Sequence, residues 1–81
     1  MGLNKIIERL DKYQKRLADG KAEKIKPRHI EKAIAKLTTK EAALTAELED
    51  TTKPEKRERL ESKLLVIQEQ IDKARWLEKQ I

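Results

Sequence analysis

Two stripes of apolar residues, one on each side of a short polar break, constrain this chain more than any other feature. The first stripe advances by alternating steps of four and three residues: Ile30, Ile34, Leu37, Glu41, Leu44 and Leu48. The second has the same spacing after the break: Leu60, Leu64, Ile67, Ile71, Ala74, Glu78 and Ile81. Such steps place side chains along one side of an α-helix, and a sustained heptad repeat favours a coiled-coil seam.

Reversing the chain at residues 51–53 brings the two stripes into register. Leu48 then lies opposite Leu60 at the closed end, and Ile30 lies opposite Glu78 at the open end. We therefore predict a long antiparallel helical hairpin over residues 27–81, with helices at about 27–49 and 53–80. Glu41 falls on the seam, and because a buried carboxylate needs a partner, we expect it to lean outwards and pair with a lysine such as Lys40 or Lys63; the alternative is that it specifies register or oligomeric state.

A third apolar stripe lies near the N-terminus. It consists of Leu3, Ile6, Ile7, Leu10, Tyr13 and Leu17. This spacing predicts a shorter amphipathic helix over residues 3–18, followed by a connector over 19–26 in which Ile25 is a candidate anchor. The chain is thus predicted to form a single all-α domain, residues 1–81, folded as a three-helix bundle.

Residues at the predicted helix ends match known capping preferences. Asn4 is a candidate N-cap for the first helix, and Gly20 is a candidate left-handed residue after its end. Pro27 suits the first turn of the second helix because its missing N–H has no partner there in any case. Thr52 and Glu55 have the spacing of a capping box before the third helix.

The composition argues against other folds and against catalysis. Aromatic residues make up 2% of the chain and charged residues 43%, and there is no cysteine. An all-β fold needs more aromatic and β-branched residues, and disulfides and cysteine metal sites need thiols. His29 is the only histidine and no nucleotide-binding or hydrolase motif is present, so we expect no enzyme, no metal and no cofactor.

No apolar run reaches membrane-spanning length, which favours a cytoplasmic protein.

Some apolar residues of the third helix lie off its seam. Leu65 and Trp76 share the side opposite the seam, and Val66 and Leu77 share one flank. A two-helix hairpin needs neither pair, and the first helix can cover only one side. All four residues are therefore predicted to contribute to a protein interface, with either a foreign partner or a second copy. Alanines on the back of the second helix could join such an interface, or could simply favour helix formation in solvent.

Positive charge is concentrated in the N-terminal half. Residues 1–40 carry twelve Lys or Arg against five Asp or Glu, and residues 41–81 carry eight against ten. The candidate contacts to nucleic acid are Lys5, Arg9, Lys12, Arg16, Lys24, Lys26, Arg28 and Lys32. Such a surface could also meet an acidic protein or remain solvated, whereas a membrane contact is disfavoured because the apolar side of the first helix should fill the bundle.

These features predict a small non-enzymatic module for protein–protein interaction, such as an adaptor, a chaperone-like cofactor or a subunit, with self-association left open. The leftover apolar residues on the third helix are the reason. The alternative is a small basic protein associated with nucleic acid. The sequence offers no sign of a small-molecule substrate.

Overall fold

The computed structural model of the chain describes residues 2–81, which form three α-helices and one short 3₁₀ turn. Helix α1 is Leu3–Ala18, α2 is Pro27–Asp50 and α3 is Pro54–Gln80, and the 3₁₀ turn is Ala22–Lys24. No strand occurs between residues 2 and 81. The predicted all-α fold and its three-helix arrangement are confirmed, and each predicted helix end lies within one residue of the observed end.

Helices α2 and α3 form the long hairpin, and α1 covers only part of it. The molecule measures 47 × 20 × 18 Å along its principal axes. Leu3 borders a small cavity together with Leu44 and Ile67, near the middle of the hairpin. At the other end of α1, the Tyr13 ring stacks on His29 near the start of α2. Helix α1 therefore runs from the middle of the hairpin to its open end, antiparallel to α2.

The part of the hairpin beside α1, which we call the base, contains the continuous core. Its buried residues are Ile6, Leu10, Tyr13, Ile25, Ile30, Ala33, Leu37, Ile67, Ile71, Ala74 and Leu77. All three helices and the connector contribute, and the predicted anchor Ile25 is only 3% exposed. Removing a large apolar side chain from water stabilises the folded state by about 1.5–3 kcal/mol. The base is thus the best-packed part of the molecule.

The rest of the hairpin, residues 45–63, has only two helices, and we call it the tip. Leu60 is buried there at 5% exposure, but Leu48 on the facing helix is only half-buried. At the boundary with the base, Leu44 and Leu64 are half-buried as well. Two helices can cover each other on one side only, so the seam residues of the tip remain partly in contact with solvent.

The predicted seam of α3 is wrong at its C-terminal end. Glu78 is exposed, and Leu77 takes the interior position with no exposed surface. Ile81, also predicted on the seam, is 38% exposed. The physical reason is the third helix. At the base, α3 packs against α1 as well as α2, so its buried side is wider than one heptad stripe and shifts towards α1.

Gly20 ends α1 as predicted. Its φ of 74° is in the left-handed region, which glycine enters without the steric cost that a Cβ imposes. Two hydrogen bonds then satisfy carbonyls of the last turn. The Lys21 N–H donates to the Arg16 carbonyl at 2.7 Å, and the Gly20 N–H donates to the Leu17 carbonyl at 3.1 Å. This pair of bonds is the Schellman motif, and it reverses the chain towards α2.

The two predicted side-chain caps are wrong. Helix α1 is capped by the extended backbone of Gly2, whose carbonyl accepts from the N–H groups of Lys5 and Ile6, and Asn4 lies inside the first turn. At α3 the N-cap is Lys53 rather than Thr52, and it makes no side-chain capping bond. Pro54 explains the shift, because a proline holds the residue before it in an extended conformation and itself suits the first helical turn.

The turn between α2 and α3 is closed instead by Arg57. Its Nη1 donates to the carbonyl of Leu48 at 2.9 Å and to that of Thr51 at 3.0 Å. The Thr51 hydroxyl also donates, to the Glu47 carbonyl at 2.6 Å. The last carbonyls of a helix have no partner within it, so Arg57 supplies donors from the first turns of α3 to the end of α2.

Candidate functional site

The outward side of α3 presents two large apolar side chains. Leu65 is 58% exposed and Trp76 is 47% exposed. They are eleven residues apart, about 16 Å along the helix, and lie within about 20° of each other around it. Glu69 and Asp72 lie between them on the same side, and both are exposed. We call these four residues the α3 outer surface.

The structure separates the four residues that the sequence predicts as a protein interface. Leu65 and Trp76 share the α3 outer surface. Val66, 39% exposed, lies on a different flank of α3. Leu77 is fully buried among residues of the base, so the surface of the folded chain does not present it to a partner. The flank predicted for Val66 and Leu77 is thus divided, because α1 covers its C-terminal part.

The back of α2 is largely exposed, although Ala43 borders the small cavity that Leu3 of α1 also lines. Its alanines, Ala35, Ala42, Ala43 and Ala46, are all exposed. Thr39, on the same side, directs its hydroxyl back to the Ala35 carbonyl at 2.9 Å. Side chains this short offer little apolar area to a partner. The back of α2 therefore adds nothing specific to the α3 outer surface.

A second surface lies between α1 and the first half of α2. A groove of about 400 Å³ runs there, and its lining residues are Ile6, Arg9, Tyr13, His29, Lys32, Ala33 and Lys36. We call it the α1/α2 groove. Of the eight predicted basic contacts, Arg9 and Lys32 line it, and all eight are exposed. The structure adds Lys36, which the sequence analysis did not select.

Aromatic rings form part of this groove. Tyr13 is 7% exposed, and its ring lies 6.5 Å from that of His29, centroid to centroid, with 29° between the planes. The Arg16 guanidinium lies over the Tyr13 ring, 5.8 Å from its centroid, and its Nη1 donates to the Lys24 carbonyl at 3.4 Å. Arg16 is therefore held at the edge of the groove by both the ring and the connector.

No carboxylate lines the α1/α2 groove. Asp11 of α1 forms its ion pair with Lys73 of α3, on the other flank of α1. A second ion pair, 3.6 Å between Lys56 and Glu47, lies at the tip. Docking of α1 thus divides its charges: Asp11 meets α3, and Arg9 lines the groove shared with α2.

The other predicted basic contacts do not line this groove. Lys5 and Lys12 are exposed on α1, while Lys24, Lys26 and Arg28 are exposed around the connector at the open end. The sequence analysis missed Lys36 and the Tyr13–His29 stack because each depends on α1 lying against α2. The available signal was the row of Lys32, Lys36 and Lys40 at four-residue steps, which places the three on neighbouring positions of one helix surface.

Residues 2–81 contain no cluster of histidine, cysteine, aspartate and glutamate suited to holding a metal ion. None of the described helices is long and apolar enough to cross a membrane. Comparison of the chain with protein-family models, with curated protein sequences and with solved structures finds no match. The functional argument therefore depends on the α3 outer surface and the α1/α2 groove.

Proposed function

We propose that the protein is a cytoplasmic, non-enzymatic module for protein–protein interaction and that it binds its partner through the α3 outer surface. One observation carries the proposal: Trp76 remains 47% exposed, beside Leu65 at 58%, on the side of α3 that faces neither α1 nor α2. Tryptophan is enriched among the residues that dominate interface energies. Burying these two side chains against a partner would remove from water most of the large apolar side-chain area that the folded chain exposes on the outward side of α3.

The charges of this surface favour a foreign partner over a second copy. In a symmetric antiparallel pairing that places Leu65 of each copy against Trp76 of the other, Glu69 of each copy lies opposite Asp72 of the other, and both of these side chains are exposed. Like charges across an interface oppose association. The fitting partner has a pocket for Trp76, with lysine or arginine around it to pair with these two carboxylates.

Site-specific photo-cross-linking in the cells that make the protein tests this proposal. The cross-linking residue replaces Gln68, which is exposed beside the α3 outer surface, and the matched control places it at the exposed Gln14 of α1. We expect a discrete protein adduct from position 68 that is lost in a Trp76→Ala background. An adduct that survives Trp76→Ala, or that forms equally from position 14, would contradict the proposal.

Light scattering at several concentrations separates a foreign partner from self-association. We expect the purified chain to be monomeric, and Trp76→Ala to leave its mass unchanged. A dimer that Trp76→Ala converts to a monomer would show that a second copy occupies the α3 outer surface, and the proposal of a basic foreign partner would then be wrong.

A further inference from the structure

The cations of the α1/α2 groove come from two helices that are separate in the sequence and adjacent in the fold. Arg9 projects from α1, and Lys32 and Lys36 project from consecutive turns of α2. Arg9 and Lys32 bring positive charge to the groove from two helices, and no carboxylate is among its lining residues. Clustered charge of one sign along a cleft favours binding of an ion of the opposite sign, here an anion.

Two aromatic side chains, Tyr13 and His29, also line the groove. Tyr13 is anchored in the core at 7% exposure and stacks on His29. Arg16 is held over the same ring at 5.8 Å and donates to the Lys24 carbonyl. A guanidinium that is already held in place loses less conformational entropy when it binds a phosphate than a free one does.

We propose that the α1/α2 groove binds the phosphodiester backbone of a nucleic acid, without reading its sequence. Arg9 belongs to a row of exposed cations on α1 that continues beyond the groove, from Lys5 to Arg16, over about 16 Å of helix. Phosphates along one DNA strand are spaced by about 3.4 Å of helix axis, so the row spans roughly five of them and its four cations can contact about four. The cations of α2 lie on the opposite side of the groove, so a backbone lying in it would meet positive charge from both sides.

A membrane is a poorer fit to the same phosphate chemistry. A basic helix that lies on a bilayer inserts its apolar side between the lipids. In α1 that side is already used: Ile6 is 2% exposed and Leu10 is fully buried. The lipid headgroup therefore enters the experiment as a competing outcome rather than as the proposed ligand.

Fluorescence anisotropy with a labelled 20-base-pair duplex of arbitrary sequence tests the proposal on the full chain. We expect the logarithm of the binding constant to fall linearly with the logarithm of salt concentration, with a slope of roughly −3 to −4, as contacts to about four phosphates imply. Arg9→Gln combined with Lys32→Gln should reduce the magnitude of that slope by about 2 and weaken binding at least about tenfold at low salt.

The matched control removes two cations from the tip. Lys53→Gln with Arg59→Gln lowers the net charge of +5 by two, to the same +3 as the groove variant, and both control residues are exposed. We expect the control, and separately Trp76→Ala, to bind the duplex like the wild type. Equal loss in the control would mean that only net charge matters, and loss in Trp76→Ala would mean that a different surface binds; either result overturns the proposal.

Two further outcomes would also overturn it. One is the absence of duplex binding by the wild type at low salt. The other is tighter binding to phosphatidylglycerol vesicles than to the duplex at equal phosphate concentration. Circular dichroism checks that the groove variant is folded. If the groove variant is unfolded, the single variant Lys32→Gln is used in its place. The magnitude of the salt slope should then fall by about 1. Because Trp76→Ala tests the α3 outer surface separately, failure of this inference and failure of the proposed function are distinguishable.

Discussion

The base and the tip of the hairpin are built from the same two helices and the same heptad spacing, yet they differ in packing. At the base, Leu37 has no exposed surface and Ile71 is 5% exposed. At the tip, Leu48 occupies an equivalent seam position and remains half-buried. The difference is α1, which covers the base and does not extend over the tip. A heptad stripe thus specifies which side of a helix faces its neighbour, but the number of helices present determines how completely that side is buried.

The largest expected difference between base and tip comes from truncating one leucine in each. Leu10→Ala removes a fully buried side chain of the base and should lower the free energy of unfolding by about 2–5 kcal/mol. Leu48→Ala at the tip should cost less than half as much, because its site is already partly solvated and leaves no closed cavity. Urea denaturation of both variants measures this. Equal losses would contradict the division into a well-packed base and a weakly packed tip.

The next largest effect concerns the turn that returns the chain from α1 to α2. Gly20→Ala should destabilise the protein by about 1–2 kcal/mol, because alanine is strained at a φ of 74°. No atom lies within 4 Å of the Cβ that would be added, so the cost comes from the backbone alone. Gly2→Ala is the matched control, since Gly2 has a φ of −76° and equally open surroundings. Thermal unfolding should show a lower Tm for the first variant only.

A smaller loss of stability is expected from a substitution in the turn between α2 and α3, at the closed end of the tip. Arg57→Gln removes the donors that reach the Leu48 and Thr51 carbonyls and should cost about 1 kcal/mol, because water can replace some of these bonds. Hydrogen exchange should show faster opening of amides in residues 45–63 and little change at the base. Arg59→Gln, a neighbouring exposed arginine, is the control. Equal acceleration throughout the chain would show that the tip does not open independently of the base.

The smallest effect is expected from the ion pair between α1 and α3. Asp11→Asn should change the free energy of unfolding by less than about 1 kcal/mol, since Asp11 is 60% exposed and surface pairs contribute little. The loss in the free energy of unfolding should be even smaller at high salt concentration, because salt screens the attraction between exposed charges. A loss comparable to that of Leu10→Ala would mean that α1 is held to the hairpin by charge rather than by burial.

Sequence reasoning predicted the helices well and the caps poorly. The three apolar stripes are long enough that local ambiguity averages out, and they located every helix end within one residue. Capping depends on the conformation of a single residue. The spacing of Thr52 and Glu55 predicted a cap at Thr52, but Pro54 holds Lys53 in an extended conformation, so Lys53 is the N-cap. The bonds from Arg57 to the preceding helix follow only from the geometry of the closed turn.

For the two candidate surfaces too, the sequence predicted some residues correctly and missed others. The exposure of Leu65 and Trp76 follows from helical spacing on α3 alone, and the structure agrees. Leu77 was misplaced because the position of α1 along α3 cannot be read from either helix separately. The same reason hid the contribution of Lys36 to the α1/α2 groove.

The sequence by itself determined that this chain forms three helices, which side of each helix is apolar, and where the chain reverses. These properties depend on residues within a few turns of one another, whose spacing around a helix is fixed by backbone geometry. Only the tertiary structure decided which apolar residues are fully buried, which cations share a groove and which end of the hairpin stays open to solvent. Those properties depend on where α1 lies against the hairpin, and that placement arises because Ile6 and Leu10 of α1 are buried in one core with residues of α2 and α3 that are far away in the sequence.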